Sequence, residues 1–136
     1  MKVHVLDANA LYRFLLGGPG ADIVSRLFQQ ARDEEQPLRM SVVNWGEVYY
    51  TIARFKGFSE TAKIMDRVRL LPLAILDPDE FVTERAARLK AGHGLLYADC
   101  FAAALVQPGD VIVTADAKDF RKIPDLQVLS LPPRKQ

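Results

Sequence analysis

Three short apolar runs in this chain each end beside an acid and lead into a helical pattern. They are Val3-His4-Val5-Leu6 before Asp7, Leu73 to Leu76 before Asp77, and Val111-Ile112-Val113 before Thr114 and Asp116. Runs of three or four apolar residues are too short for a buried helix, and they lack the alternation of a strand with one wet face. They suit strands buried on both sides. With helices between them, such strands build an α/β fold, a central parallel sheet flanked by helices on both faces. Leu38 to Ser41 and Leu126 to Leu129 read as two weaker strands, which makes about five short strands in all. In sheets of this kind ligands bind beyond the carboxyl ends of the strands. The architecture therefore nominates Asp7, Asp77 and Asp116 before any chemistry is considered.

Helical spacing is expected over Ala8 to Leu16, residues 21–35, Val42 to Phe55, Ser59 to Leu71, and Tyr97 to Val106, with a further helix ending near Gly92-His93-Gly94. Gly17-Gly18-Pro19-Gly20 and Gly57 mark breaks. Asp77-Pro78-Asp79-Glu80 predicts a helix start, with Asp77 as the cap, Pro78 in the first turn and Glu80 at the third helical position. A length of 136 residues suits one domain with a real core, and 49% apolar with 26% charged residues excludes disorder. The longest stretch without a charge, Cys100 to Gly109, is ten residues, far short of a membrane span. Asp7 and Arg13 come too early for a signal peptide, and the one cysteine, Cys100, forms no internal disulfide. A cytoplasmic protein without membrane association is the expectation.

Asp77 is explained by the expected cap alone, and Asp7 suits a cap or a ligand equally well. Glu47 is the only acid in the helix "VVNWGEVYYTIARF", where helical spacing sets it beside Asn44, Thr51 and Arg54. Taken alone, that stripe reads as solvent-facing. Asp99 sits in "YADCFAAALV", among small, aromatic and apolar side chains, so its carboxylate has to be paired, metal-bound or protonated. Its first-turn position lets the helix dipole favour the ionised form. Together these acids supply the oxygen ligands that Mg²⁺ and Mn²⁺ require. Zinc is disfavoured, because His4 reads as a strand residue and His93 as a surface one, with no ligand spacing between them. The net charge is +1; with four of the 17 acids engaged by metal, 18 basic side chains face 13 acidic ones, a balance compatible with nucleic acid.

The segments "VHVLDANAL", "NWGEVYY", "HGLLYADCFAAAL" and "VIVTADAKDF" follow one another in the order and spacing of a known family. Over nearly its whole length the chain resembles PIN-domain ribonucleases, above all VapC-like toxins of prokaryotic toxin–antitoxin pairs. The resemblance implies a PIN-like fold for a single domain over residues 1–131, with 132–136 as a flexible tail. It implies that Asp7, Glu47, Asp99 and Asp116 form a catalytic acidic quartet that holds Mg²⁺ or Mn²⁺. Asn9, Thr114 and Asp119 match supporting positions of the same pattern. Leu96 stands where the family often has Ser, which leaves the helix of Asp99 without that cap.

The implied activity is metal-dependent endoribonuclease cleavage, by the toxin of a toxin–antitoxin pair that inhibits translation. A cognate antitoxin and a homodimer are the implied protein partners. Arg13, Lys118, Arg121 and Lys122 follow the acid-bearing strand ends and are candidate contacts for RNA phosphates. Two rival readings are a receiver-like signalling module, with Asp77 as phospho-acceptor, and a non-catalytic binding module. A receiver needs adjacent acids after its first strand, where this chain has Asp7-Ala8-Asn9, and a Lys after its last, where it has Ser130-Leu131-Pro132.

Overall fold

All five strands of the sheet run parallel, with the first strand of the sequence at the centre, the second and third on one side of it and the fourth and fifth on the other. The computed structural model describes residues 2–133. Its elements are β1 (His4–Leu6), α1 (Ala8–Leu16), α2 (Ala21–Asp33), β2 (Leu38–Ser41), α3 (Val42–Val68), β3 (Leu73–Leu76), α4 (Glu80–His93), α5 (Tyr97–Ala104), β4 (Val111–Thr114), α6 (Ala117–Phe120) and β5 (Gln127–Ser130). Alternation along the central strands divides the core in two. Leu6, Met40 and Val113 face one side with Leu11, Val24, Phe28, Trp45 and Ile52 from α1, α2 and α3. Val5 and Ile112 face the other with Ala86, Phe101, Ala102 and Phe120 from α4, α5 and α6. The expected PIN-like α/β architecture is the one observed. Among the described residues no helix is long and apolar enough to cross a membrane.

The chain winds outward from β1 to β2 and β3, then returns to lay β4 and β5 on the opposite side of β1. Connections therefore leave β1 and β4 in opposite directions, which opens a crevice at their carboxyl ends. The register sets His4, Val5 and Leu6 beside Val111, Ile112 and Val113, so Asp7 and Thr114 end neighbouring strands side by side. Asp77 follows β3, the edge strand, with β2 between it and β1. Receiver-type sheets in the order 2-1-3-4-5 seat the third strand against the first. This sheet does not.

Two local expectations are corrected. The cap of α4 is Asp79, whose Oδ1 accepts from the Val82 amide at 2.8 Å, and Asp77 is merely exposed. Glu80 is then the first helical residue, so the capping-box reading was two residues too early. The expected boundary at Gly57 is observed, since Gly57 has φ 79° and ψ 168° between two helical segments of α3, but Ser59, expected as the cap of the second, lies within it. A residue with a side chain is disfavoured at that φ.

Leu131 is buried and its amide donates to the Thr114 carbonyl at 2.8 Å. Arg13, expected to meet phosphate, is buried instead. Its Nη1 donates to the carbonyls of Pro19 (3.0 Å) and Pro132, which fastens the start of the expected tail to the α1–α2 loop. Gly20 in that loop has φ 91°, and a Cβ there would lie 3.0 Å from the Leu131 side chain. Residues 134–136 of the expected tail lie outside the described residues. Lost caps cost about 1 kcal/mol, so Asp79→Ala should lower the unfolding free energy by about that much, and Asp77→Ala should leave it nearly unchanged. Urea denaturation of both variants checks the assignment, and equal losses would refute it.

Candidate active site

Asp7 is held by both of its oxygens. Oδ1 accepts the Ala10 amide at 2.8 Å, the N-terminal cap of α1, and Oδ2 accepts the Thr114 hydroxyl at 2.5 Å. The same hydroxyl oxygen accepts the Asp116 amide at 2.8 Å. Thr114 thereby fixes the direction of Asp7 and the backbone of Asp116 at once. Asp7 is thus cap and cleft residue together, since capping uses only one lone pair of a carboxylate.

Asp7, Asn9, Glu47, Asp99 and Asp116 line one cleft of about 380 Å³ over the carboxyl ends of β1 and β4. Thr114 lies beneath it, fully buried. Asp119 is not among the lining residues; it pairs with Lys122 at 3.4 Å on the surface, although its charge acts on Asp99. Lys118 and Arg121 are exposed beside α6, and Arg13 is engaged inside the fold. His4 and His93 lie outside the cleft. Leu96 heads α5 without a side-chain cap bond, as its identity implied, and its exposed side chain forms part of the cleft wall.

The stripe of Glu47 is only partly solvent-facing: Arg54 is exposed, while Glu47 and Thr51 are half-buried. Asn44 is fully buried, and its Nδ2 donates to Glu47 Oε1 at 2.9 Å and to the Ala98 carbonyl at 3.1 Å. Both partners are acceptors, so the amide orientation is forced. Asn44 aims Glu47 and pins α3 to α5 one residue before Asp99, while its Oδ1 is left buried without a partner. Sequence reasoning placed Asn44 beside Glu47 but gave it no role. The only available sign was an amide three residues before a lone acid in an apolar helix.

Burial, with the charges of Asp99 and Asp116, pushes the Asp7 carboxyl up to about 7 against the lowering effect of its Thr114 and Ala10 hydrogen bonds. Burial, then Glu47, Asp116 and Asp119, push Asp99 up to about 6. These influences outweigh the favourable first-turn position of Asp99. Among the described residues the only ion pairs are Arg26–Asp22 and Lys122–Asp119, so no protein cation answers the cleft acids. The donor chemistry therefore suits a hard divalent cation, with carboxylates from four elements lining one cleft. No three acidic, histidine or cysteine side chains among the described residues stand close enough to ligate one ion as they lie. Uncompensated like charges favour that separation, and ligation requires the side chains to turn inward.

The raised carboxyls set a pH dependence. An unfolded Asp7 ionises near 3.8 and the folded one near 7, so between these values the unfolded state sheds its proton first and stability falls as pH rises. Metal-free protein should therefore lose melting temperature from pH 5 to pH 8. Asp7→Asn, with no proton to lose there, should lose less, by on the order of 5 °C. Parallel melting curves in EDTA test this; equal slopes would refute the electrostatic reading of Asp7.

A family model of the PIN domain matches residues 4–126. The fold is similar to a chain in the crystal structure of VapBC2 from Rickettsia felis bound to a DNA fragment from its promoter. The TM-score is 0.74 at 17% identity, covering 94% of this chain and 98% of that one. It is similar also to a chain of DNA-bound VapBC from Salmonella typhimurium, with TM-score 0.72, 15% identity and coverage of 96% and 98%. FitAcB from Neisseria gonorrhoeae gives TM-score 0.69, 21% identity and coverage of 94% and 97%. Comparison with curated proteins gives no match. With a family match across most of its length and the parallel sheet that such structures share, the chain belongs to the PIN domain family.

Proposed function

We propose that this protein is a metal-dependent endoribonuclease that hydrolyses RNA phosphodiester bonds, the toxin of a toxin–antitoxin pair that inhibits translation in the cytoplasm. One observation carries the reading: Asp7, Glu47, Asp99 and Asp116 reach one cleft from four separate elements, with no cationic side chain paired to them among the described residues. Such a cleft repels a phosphodiester unless a cation stands between them. Mg²⁺ or Mn²⁺ bound there would polarise the phosphoryl group and acidify a water molecule.

Asp7, Asp99, Asp116 and Glu47 would hold the ion, Asp7 already oriented by Thr114 and Glu47 by Asn44. Asn9 adds an amide to the cleft lining. Lys118 and Arg121, exposed close to Asp116 in sequence, draw the phosphate backbone by charge, and Lys122 shares its charge with Asp119. The receiver-like reading finds no support, because Asp77 follows an edge strand and stays outside the cleft.

The proposal includes a cognate antitoxin and a homodimer. A trough of about 590 Å³ between α1 and α3, lined by Phe14, Leu16, Ile52, Ile64 and Leu71 with Lys56, Glu60 and Arg67 among them, supports the antitoxin. An amphipathic helix fills grooves of this kind, and the structurally similar chains above come from VapBC and FitAcB assemblies.

Purified protein should cleave RNA with Mg²⁺ or Mn²⁺, poorly with Zn²⁺, and not at all in EDTA. Undiminished cleavage in EDTA would remove the metal mechanism. Asp99→Asn keeps the side-chain shape but drops one of several mutually repelling charges. It should abolish cleavage while leaving the metal-free fold as stable or more stable. Added Mg²⁺ should raise the melting temperature of wild type by mass action, and that of the variant much less. A variant clearly less stable in EDTA would make Asp99 a structural residue.

A further inference from the structure

We infer that one wall of the acid cleft is a base-stacking subsite, in which Tyr50 and Phe55, together with Tyr12, take an unpaired nucleobase beside the phosphate at the acids. The inference rests on the ribonuclease reading and extends it.

The cleft that gathers the four acids is also lined by Tyr12, Tyr50, Phe55 and Leu96. Two of these rings are open to solvent, Tyr50 at 49% and Phe55 at 76% exposure. Among the described residues the aromatic pairs in contact are Phe14–Phe28, tilted, and Tyr97–Phe101, edge to face, so neither cleft ring is paired with another ring of the chain. The Arg54 guanidinium lies over Tyr50 at 5.0 Å from the ring centroid. That brings a cation beside the half-exposed ring of Tyr50.

Helix geometry sets the spacing. Glu47 and Tyr50 are three residues apart and so neighbours on one helix face. Phe55 lies eight residues beyond Glu47, roughly 12 Å along the axis. Tyr50 and Phe55, five residues apart and so about 140° apart around α3, flank the stretch of cleft that runs on from Glu47 past Thr51.

The chemistry of a ligand follows from these groups. At one end it must present an anionic oxygen to a metal held by carboxylates, and at the other a flat π-face to open rings. A nucleotide has both. An apolar peptide helix matches the neighbouring trough between α1 and α3 but has nothing to offer the acids. A base inside a duplex hides its faces in the stack, whereas an unpaired base can be splayed onto an aromatic side chain. Stacking of this kind tolerates any base, so this wall selects strandedness more than sequence.

The test is a binding cycle with short labelled oligoribonucleotides, intact or carrying one abasic residue at successive positions. Titrations use the full chain with Ca²⁺, which occupies oxygen sites without the strict octahedral geometry of Mg²⁺. Removing the base at one position next to the cut should weaken wild-type binding roughly tenfold, the loss of one stacked base. Tyr50→Leu and Phe55→Leu should bind intact RNA correspondingly less tightly and be indifferent to that abasic position. Phe81→Leu, another exposed aromatic but outside the cleft, should behave as wild type. Melting curves confirm that each variant is folded. Base removal that weakens wild type and both cleft variants equally, or none of them, overturns the subsite and assigns these rings to a protein partner. Cleavage with Mg²⁺ is scored separately: base-dependent binding without cleavage would keep the subsite and sink the ribonuclease reading, and cleavage without base dependence would do the reverse.

Discussion

A single hydroxyl holds the centre of this fold to its chemistry. Thr114 ends β4, gives its proton to Asp7 at the end of β1, and receives the amide of Asp116 where the chain turns away into α6. It is fully buried, so neither bond competes with water. The parallel register of β1 and β4 makes the contact possible, and the reversal of winding at that point opens the crevice. A valine would fill the same space and lose both bonds. A buried carboxylate oxygen without a partner costs on the order of 1–3 kcal/mol or more. The direction of Asp7 and the backbone of Asp116 therefore depend on one atom.

The rest of the cleft is assembled against its own electrostatics. Desolvation and mutual repulsion raise two of its carboxyls, α5 starts without a side-chain cap, and Asn44 leaves a buried oxygen unpaired. Each of these features costs stability, and all three adjoin the cleft acids. The concentration of such costs in one place is what a binding or catalytic site requires and what a purely structural core avoids.

The strands and two of the acids were legible because their signals are local. Val-Ile-Val followed by Thr-x-Asp needs only six residues to state, and Asp7 after Leu6 needs fewer. The resemblance supplied the link among the four acids that spacing alone left open. What stayed hidden depends on tertiary packing. The Asn44 stripe looks solvent-facing until α5 brings the Ala98 carbonyl against it. Arg13 looks like a surface cation until two carbonyls, 6 and 119 residues away, are seen to accept its hydrogen bonds. Asp77 and Asp79 compete for one cap, and sequence cannot say where the strand lets go and the helix begins.

The bond between Arg13 and Pro132 makes the boundary of the domain a chemical one. A guanidinium is charged at every working pH and cannot shed its proton to ease its burial. A chain cut after Ser130 would keep every strand and helix of the sheet, yet leave that charge short of an acceptor and Gly20 short of the Leu131 side chain it packs against. Secondary structure alone would place the end of the folding unit at β5. For truncation, fusion or permutation, the unit includes the two residues after it.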